Sequence, residues 1–153
     1  MAQTEQFCTF YLDGHFFGVP VEQVQEVIRY QEMTRMPLVP QAVSGLINLR
    51  GQIVTAIDIR LRLNMTKRPA GQLPINVVVR TKDGAVSLLV DEIGDVIEVD
   101  RNTREKPPGT LQGPTRALVL GVYKLPEQLL LELGISEALG FDGEAEKATH
   151  ASA

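Results

Sequence analysis

The residue types that perform catalysis are few in this sequence and lie far apart. The two histidines are His15, in a turn beside aromatic residues, and His150, near the C-terminus. Cys8 is the only cysteine and falls within a strand pattern, where buried packing is expected rather than nucleophilic chemistry. The adjacent carboxylates Asp91 and Glu92 are interpreted as solvated. Because the sequence holds no metal-ligand cluster and no phosphate-binding glycine motif, we expect no catalytic residue, no metal and no cofactor.

The most distinctive polar and apolar pattern is an aliphatic ribbon, GLINLRGQIVTAIDIR, which runs from Gly45 to Arg60. Arg50 and Gly51 are placed at a turn between two strand patterns, so the arginine side chain must leave the sheet. Asp58 lies inside the second strand pattern and should need a partner, because an unpaired buried carboxylate is costly. On periodicity alone, the ribbon is explained by a tight hairpin with a surface arginine.

Length and composition indicate one domain with a real core, since 153 residues include 44% hydrophobic side chains. No stretch approaches the roughly 20 apolar residues of a membrane span, and the N-terminus lacks the features of a secretory signal. A single cysteine fits a reducing compartment, so a cytoplasmic location without membrane insertion is expected. The net charge of −4 gives no basic surface for nucleic acid, and the short Lys67-Arg68 pair is interpreted as a solvated loop.

Short strand patterns dominate the chain, and an internal repeat with a period of about 70 residues organises them. Residues 21–28 and 90–97 share one pattern of aliphatic and acidic positions, and each copy follows a hairpin with an Asp-Gly turn. The repeat predicts an all-β protein of two small barrels. We place the first barrel at about 18–70 and the second at about 75–140, leave the N-terminal strand unassigned, and interpret 141–153 as a flexible tail.

Three blocks resemble, in the same order, the family of CheW-like domains: residues 21–28, 45–60 and 90–96. The block from Asn48 to Gly51 is the most specific of them. The resemblance covers about residues 6–140 and implies a single domain of two SH3-like five-stranded β-barrel subdomains with a few short helices. Many relatives have proline where this chain has Thr55. Because nothing suggests a kinase or receptor domain, the chain resembles a free-standing adaptor of the family.

The function implied by the resemblance is that of an adaptor in chemotaxis signal transduction. Such a protein couples methyl-accepting chemoreceptors to the histidine kinase CheA, in arrays on the inner face of the membrane. One surface would bind the regulatory domain of CheA, and another would bind the cytoplasmic tip of the receptor. A receptor helix docks in an apolar groove through regularly spaced anchors. Arg50 is expected to pair with Glu26 near that groove.

The resemblance also assigns residues to these two surfaces. The receptor-binding groove is assigned six residues: Val21, Val24, Glu26, Val27, Arg50 and Val90. The kinase-binding surface is assigned six others: Met36, Leu38, Val39, Gly45, Asn48 and Ile53. Two of the groove valines, Val21 and Val24, are equally compatible with a place in the core, and the apolar loop residues are almost equally compatible with simple loop packing.

The alternative function is that of a small-molecule- or nucleic-acid-binding double β-barrel protein. An aromatic content of 5% and a negative net charge disfavour the stacking by which single-stranded nucleic acids are bound. An enzyme is a third possibility, which the missing catalytic constellation disfavours.

Overall fold

The structure is a computed structural model that describes residues 3–140. Their ten strands are β1 (Thr4–Leu12), β2 (His15–Pro20), β3 (Val24–Ile28), β4 (Val43–Leu49), β5 (Gln52–Asp58), β6 (Ile75–Thr81), β7 (Gly84–Val90), β8 (Glu92–Asp100), β9 (Val119–Lys124) and β10 (Leu129–Leu133). Their helices are α1 (Ile59–Arg62), α2 (Gly113–Leu118) and α3 (Ile135–Ala138), with 3₁₀ turns at Val21–Gln23 and Arg101–Thr103. The predicted tail at 141–153 and His150 lie outside the described residues.

The strands form two five-stranded sheets, which we call sheet 1 and sheet 2. Sheet 1 has the order β8-β1-β2-β10-β9, and sheet 2 has the order β3-β6-β7-β5-β4. Both sheets are antiparallel except where β10 runs parallel to β2 and β5 runs parallel to β7. The prediction of an all-β fold with two five-stranded units and a few short helices is confirmed.

The repeat consists of two units, β1–β5 and β6–β10. The first two strands of each unit lie in the sheet that contains the last three strands of the other unit. β1 and β2 lie between β8 and β10 in sheet 1, and their repeat counterparts β6 and β7 lie between β3 and β5 in sheet 2. Sheet 2 therefore contains residues 75–90 as well as 24–58, and the unassigned N-terminal strand belongs to sheet 1. The division into barrels at about 18–70 and 75–140 does not match the sheets. A repeat identifies similar units, but it does not determine which hairpin pairs with which third strand.

The described residues bury three clusters of apolar side chains. The largest, the joint core, is formed by both sheets and includes Phe10 and Phe17 of sheet 1 and Leu88 of sheet 2. The other two each belong to one sheet, around Tyr123 in sheet 1 and around Val54 in sheet 2. Each sheet thus has a small core of its own, and burial of large side chains at roughly 1.5–3 kcal/mol each holds the two sheets together. None of the helices described in residues 3–140 is long and apolar enough to span a membrane.

Candidate functional site

Arg50 lies at the two-residue turn between β4 and β5, where Arg50 and Gly51 have φ of 54° and 85°. Positive φ at both positions is the requirement of a type I′ hairpin turn. The side-chain oxygen of Asn48 accepts a hydrogen bond from the Gly51 amide over 2.9 Å. The exposed side chain of Asn48 therefore stabilises the turn, and the turn directs Arg50 away from the strands.

The Arg50 guanidinium reaches Glu26 on β3. Its two terminal nitrogens donate to the two carboxylate oxygens over 2.9 and 2.7 Å, a bidentate geometry. The arginine side chain is 74% exposed and the glutamate side chain 17% exposed, so the pair is shielded on one side only. The expected pair is present, and Glu26 lies on strand β3.

This ion pair joins the two ends of sheet 2, because β3 is the first strand in its order and β4 is the last. The β3–β4 loop also follows the free edge of β4. Thr34 and Leu46 exchange two backbone hydrogen bonds of 2.8 Å. A β-carbon on the neighbouring Gly45 would come within 2.6 Å of the Thr34 carbonyl oxygen. Gly45, which was assigned to the kinase surface, is buried and permits this close approach of two backbone segments.

The residues assigned to the receptor groove are not all on the surface. Val90 is fully buried, because it ends β7 in the joint core opposite Ile75. Its assignment to a surface groove is therefore wrong. Val21 and Val24 are half-buried and pack against the same core, whereas Val27 is exposed.

Glu26 and Val27 are consecutive residues of β3, so their side chains point to opposite faces of the strand. A groove between the sheets has a volume of about 930 Å³ and is lined by β5, the β6–β7 turn, β10 and α3, among others. None of the six assigned receptor residues lines it. A smaller cleft of about 460 Å³ is lined by Val21 together with charged residues that include Glu22 and Arg101. The structure does not bring the six residues together in one groove.

The residues assigned to the kinase surface include four exposed apolar side chains. Met36, Leu38 and Val39 lie in the β3–β4 loop, and Leu38 is fully exposed with a positive φ of 58°. Ile53 lies on β5 directly opposite Asn48 and is 62% exposed. Gly45, Asn48 and Ile53 therefore share the β4–β5 hairpin, and the loop that carries the other three residues is paired to this hairpin.

A buried cluster of charges lies where the two sheets meet, and sequence reasoning missed it. Arg60 donates to both carboxylate oxygens of Asp91, with contacts of 2.6 to 3.1 Å, and Arg68 donates to Asp91 over 2.8 Å. Arg68 also contacts Asp58 over 3.3 and 3.4 Å. Asp58 thus has the partner that its strand position required, and its Oδ1 accepts the backbone N–H of Arg60 at the start of α1.

The interpretation of Asp91 and Arg68 as solvated residues is wrong, since their side chains are only 7% and 8% exposed. Burial by itself would raise the pKa of the Asp91 carboxyl. Hydrogen bonds from Arg60, from the Asp13 backbone N–H and from Arg68 outweigh burial and lower this pKa. The hydrogen bond to Asp91 likewise raises the pKa of Arg60. The sequence did carry an indication of this buried charge cluster, because Arg60 follows closely after Asp58 at the end of the strand.

The site geometry offers binding surfaces rather than reactive groups. Burial raises the pKa of the Cys8 thiol, which disfavours the thiolate that would act as a nucleophile. Within residues 3–140, no group of three or more His, Cys, Asp or Glu side chains is arranged to hold a metal ion.

Comparison with known proteins identifies relatives of the whole domain. The family model described as "CheW-like domain" matches residues 6–140. The chain is 31% identical to chemotaxis protein CheW of Bacillus subtilis over 126 residues, covering 82% of this chain and 81% of the relative. It is 25% identical to chemotaxis protein CheW of Treponema pallidum over 134 residues, covering 85% and 79%. The crystal structure of scaffolding protein TtCheW from Thermoanaerobacter tengcongensis superimposes with a TM-score of 0.79 at 28% identity, covering 87% of this chain and 90% of that one.

Proposed function

This chain belongs to the family of CheW-like domains, and on that premise we propose that it couples methyl-accepting chemoreceptors to the histidine kinase CheA. Family membership makes it an adaptor of chemotaxis signalling. Its proposed partners are the regulatory domain of CheA and the cytoplasmic tip of the receptor. The alternative of a small-molecule- or nucleic-acid-binding double barrel is not favoured, because the relatives are chemotaxis proteins.

The kinase binds sheet 2 at the β4–β5 hairpin and the loop before it. The exposure of Met36, Leu38, Val39 and Ile53 is the observation that carries this proposal. Apolar side chains at the centre of an interface are buried on binding and contribute most of its energy. Thr34 of the loop is hydrogen-bonded through its backbone to Leu46 of the hairpin. Kinase binding at the loop therefore acts directly on the position of the hairpin.

The receptor binds beside this surface, near β3, where Val27 is exposed and Glu26 holds Arg50. The ion pair connects β3 to the β4–β5 turn, so the same hairpin adjoins both partners. Signal transfer then needs no chemistry in the adaptor, only binding free energies that differ between the active and inactive states of the kinase. The protein is accordingly non-enzymatic and works in the cytoplasm at receptor arrays.

Reconstitution of three components tests the proposal. Receptor fragments on vesicles, CheA and this protein are mixed, and sedimentation and kinase autophosphorylation are measured. The proposal expects the protein to sediment with the receptor, to recruit CheA and to raise kinase activity. Sedimentation of CheA that is independent of the added protein would contradict it, as would unchanged kinase activity in a complex that contains all three.

A further inference from the structure

The chain crosses between the sheets twice within the described residues, and the two crossings differ in character. The first, from β2 to β3, passes through the 3₁₀ turn Val21–Gln23, whose Val21 packs against the joint core. The second, from β7 to β8, consists of the single residue Asp91. The backbone torsions of one residue therefore set the direction in which the chain leaves sheet 2 and enters sheet 1.

Asp91 is held to sheet 1 by two hydrogen bonds. Its backbone N–H donates to the carbonyl oxygen of Tyr11 over 3.0 Å, and its Oδ2 accepts from the backbone N–H of Asp13 over 2.7 Å. Tyr11 is on β1, and Asp13 is in the β1–β2 turn. Both the main chain and the side chain of the crossing residue are thereby fixed to the same hairpin.

The same carboxylate is held to sheet 2 by Arg60, which lies in α1 immediately after β5. The guanidinium of Arg60 donates to Asp91 and, through Nη1, to the carbonyl oxygen of Thr66 over 3.0 Å. Arg68 ties Asp91 to Asp58 at the end of β5. One buried carboxylate thus receives directional hydrogen bonds from groups that belong to both sheets.

A second set of hydrogen bonds connects α1 to α3. Arg62 of α1 donates to the carbonyl oxygens of Ala138 and Glu137, at the end of α3, over 2.7 and 3.0 Å. α3 lies after the last strand of sheet 1, and its residues line one wall of the 930 Å³ groove. The opposite wall is formed by β5 and the β6–β7 turn of sheet 2. The relative orientation of the sheets therefore sets the width of this groove.

We propose that Asp91, together with Arg60 and Arg68, is an orientation lock that holds the two sheets at one fixed angle. Apolar contacts in the joint core bring the sheets together, but they are non-directional and permit small rotations. Charge-assisted hydrogen bonds to a single carboxylate are directional and select one arrangement. Buried ion networks add little net stability compared with apolar packing, so their best-attested contribution is to specify geometry.

Paired spin labels measure the orientation without receptor or kinase. Labels at Lys82→Cys, in the β6–β7 turn, and Glu127→Cys, in the β9–β10 turn, report the distance between the sheets, because both positions are exposed. The labelled background carries Cys8→Ala, which removes the one native thiol. Pulsed electron resonance then gives the distribution of distances for the background and for Asp91→Asn. We expect Asp91→Asn to keep the circular dichroism of the strands and to broaden the distribution roughly twofold, because the remaining apolar contacts are non-directional and permit small rotations.

The matched control is Ser87→Ala. Ser87 is also buried and donates to Asn76 over 2.7 Å, but both residues belong to sheet 2. This variant loses a buried hydrogen bond without touching the junction of the sheets, so its distribution should stay narrow. Equal broadening in Ser87→Ala and Asp91→Asn would overturn the lock, because general loosening would then explain both.

Arg68→Gln keeps the inference testable if Asp91→Asn does not fold. It leaves the Arg60–Asp91 contacts in place and removes the hydrogen bonds that Arg68 donates to Asp91 and to Asp58, so an intermediate broadening is expected. A distribution for Arg68→Gln that equals that of the labelled background would overturn the proposal, and so would an unchanged distribution in folded Asp91→Asn.

Discussion

The guanidinium of Arg50 donates one hydrogen bond to each carboxylate oxygen of Glu26, over 2.9 and 2.7 Å, and so connects the turn of one edge hairpin to the opposite edge strand of sheet 2. An exposed ion pair contributes at most about 1 kcal/mol to stability. Its geometric effect is larger, because two parallel hydrogen bonds hold the turn in one orientation against β3. The pair is therefore expected to matter for coupling more than for folding.

Arg50→Glu should leave the free energy of unfolding within about 1 kcal/mol of the parent. It should, however, lower the stimulation of CheA in reconstituted receptor complexes, since Glu26 and the new glutamate repel each other. The double variant Arg50→Glu with Glu26→Arg restores opposite charges and should recover part of the stimulation. Kinase autophosphorylation and urea unfolding of all three variants are the measurements.

The control is Lys124→Glu, which reverses a charge in an exposed ion pair with Glu105. Lys124 lies on β9 of sheet 1, not on the sheet that carries the β4–β5 turn. It should stimulate the kinase as the parent does. If the double variant rescues nothing, Arg50 contacts a partner directly. Full stimulation by Arg50→Glu alone would make Arg50 an ordinary turn residue. It would contradict both the coupling role of the Arg50–Glu26 pair and a direct contact of Arg50 with a partner.

Leu38→Asp should weaken binding of CheA by roughly tenfold without loss of stability, since a fully exposed leucine contributes nothing to the core but can be buried in an interface. Titration of CheA with the labelled adaptor measures the affinity. Leu73→Asp is the matched control, because Leu73 is also an exposed leucine in a loop, at 62% exposure, outside the proposed surface. Equal affinities for folded Leu38→Asp and the parent would remove Leu38 from the kinase surface.

Gly45→Ala should lower the free energy of unfolding by about 2 kcal/mol, because the added β-carbon meets the Thr34 carbonyl oxygen and must displace the loop. Gly51→Ala meets no atom within 4 Å, and only its positive φ resists the change, at about 1 kcal/mol. Urea unfolding compares the two. A smaller loss for Gly45→Ala than for Gly51→Ala would show that the loop yields easily and that Gly45 does not hold it.

The sequence predicted the fold class because strands and hairpins depend on local patterns, whereas the Arg50–Glu26 pair was expected from the family resemblance. Alternating apolar residues and the Arg50-Gly51 turn determine strands and hairpins within a few residues of chain. The exchange of hairpins between the sheets was not predictable in this way, since β1 pairs with β8 rather than with β3, and the repeat treats β3 and β8 as equivalent.

Val90 and Asp91 show why burial was harder to predict than strands. In sequence they are one aliphatic and one acidic residue at a strand end, which is typical of a surface edge. In the structure that strand end is the crossing between the sheets, so Val90 enters the joint core and Asp91 meets two arginines. Only the long-range topology places those arginines beside it, and one of them, Arg68, lies in a loop that looked solvated.

The lowered pKa of Asp91 makes a prediction about acid stability. Because its folded pKa lies below the unfolded value of about 3.9, the ionised carboxylate stabilises the fold at pH values above about 4. This contribution is lost as the pH falls from about 4 through the lowered folded pKa, where the carboxylate takes up a proton and its bonds to Arg60 and Arg68 weaken.

Asp91→Asn tests this by removing the titrating group while keeping its size. At pH 7 the variant should be less stable than the parent by about 3–5 kcal/mol, as expected when one partner of a buried ion network is removed. The difference should shrink as urea unfolding is repeated at successively lower pH below 4. The two proteins share every other ionisable side chain, so the change in the difference is assigned to Asp91. Asp83→Asn, at an exposed turn carboxylate, should give a difference near zero at every pH. A gap between Asp91→Asn and the parent that stays constant from pH 7 to pH 3 would mean that the carboxylate is not preferentially ionised in the folded protein.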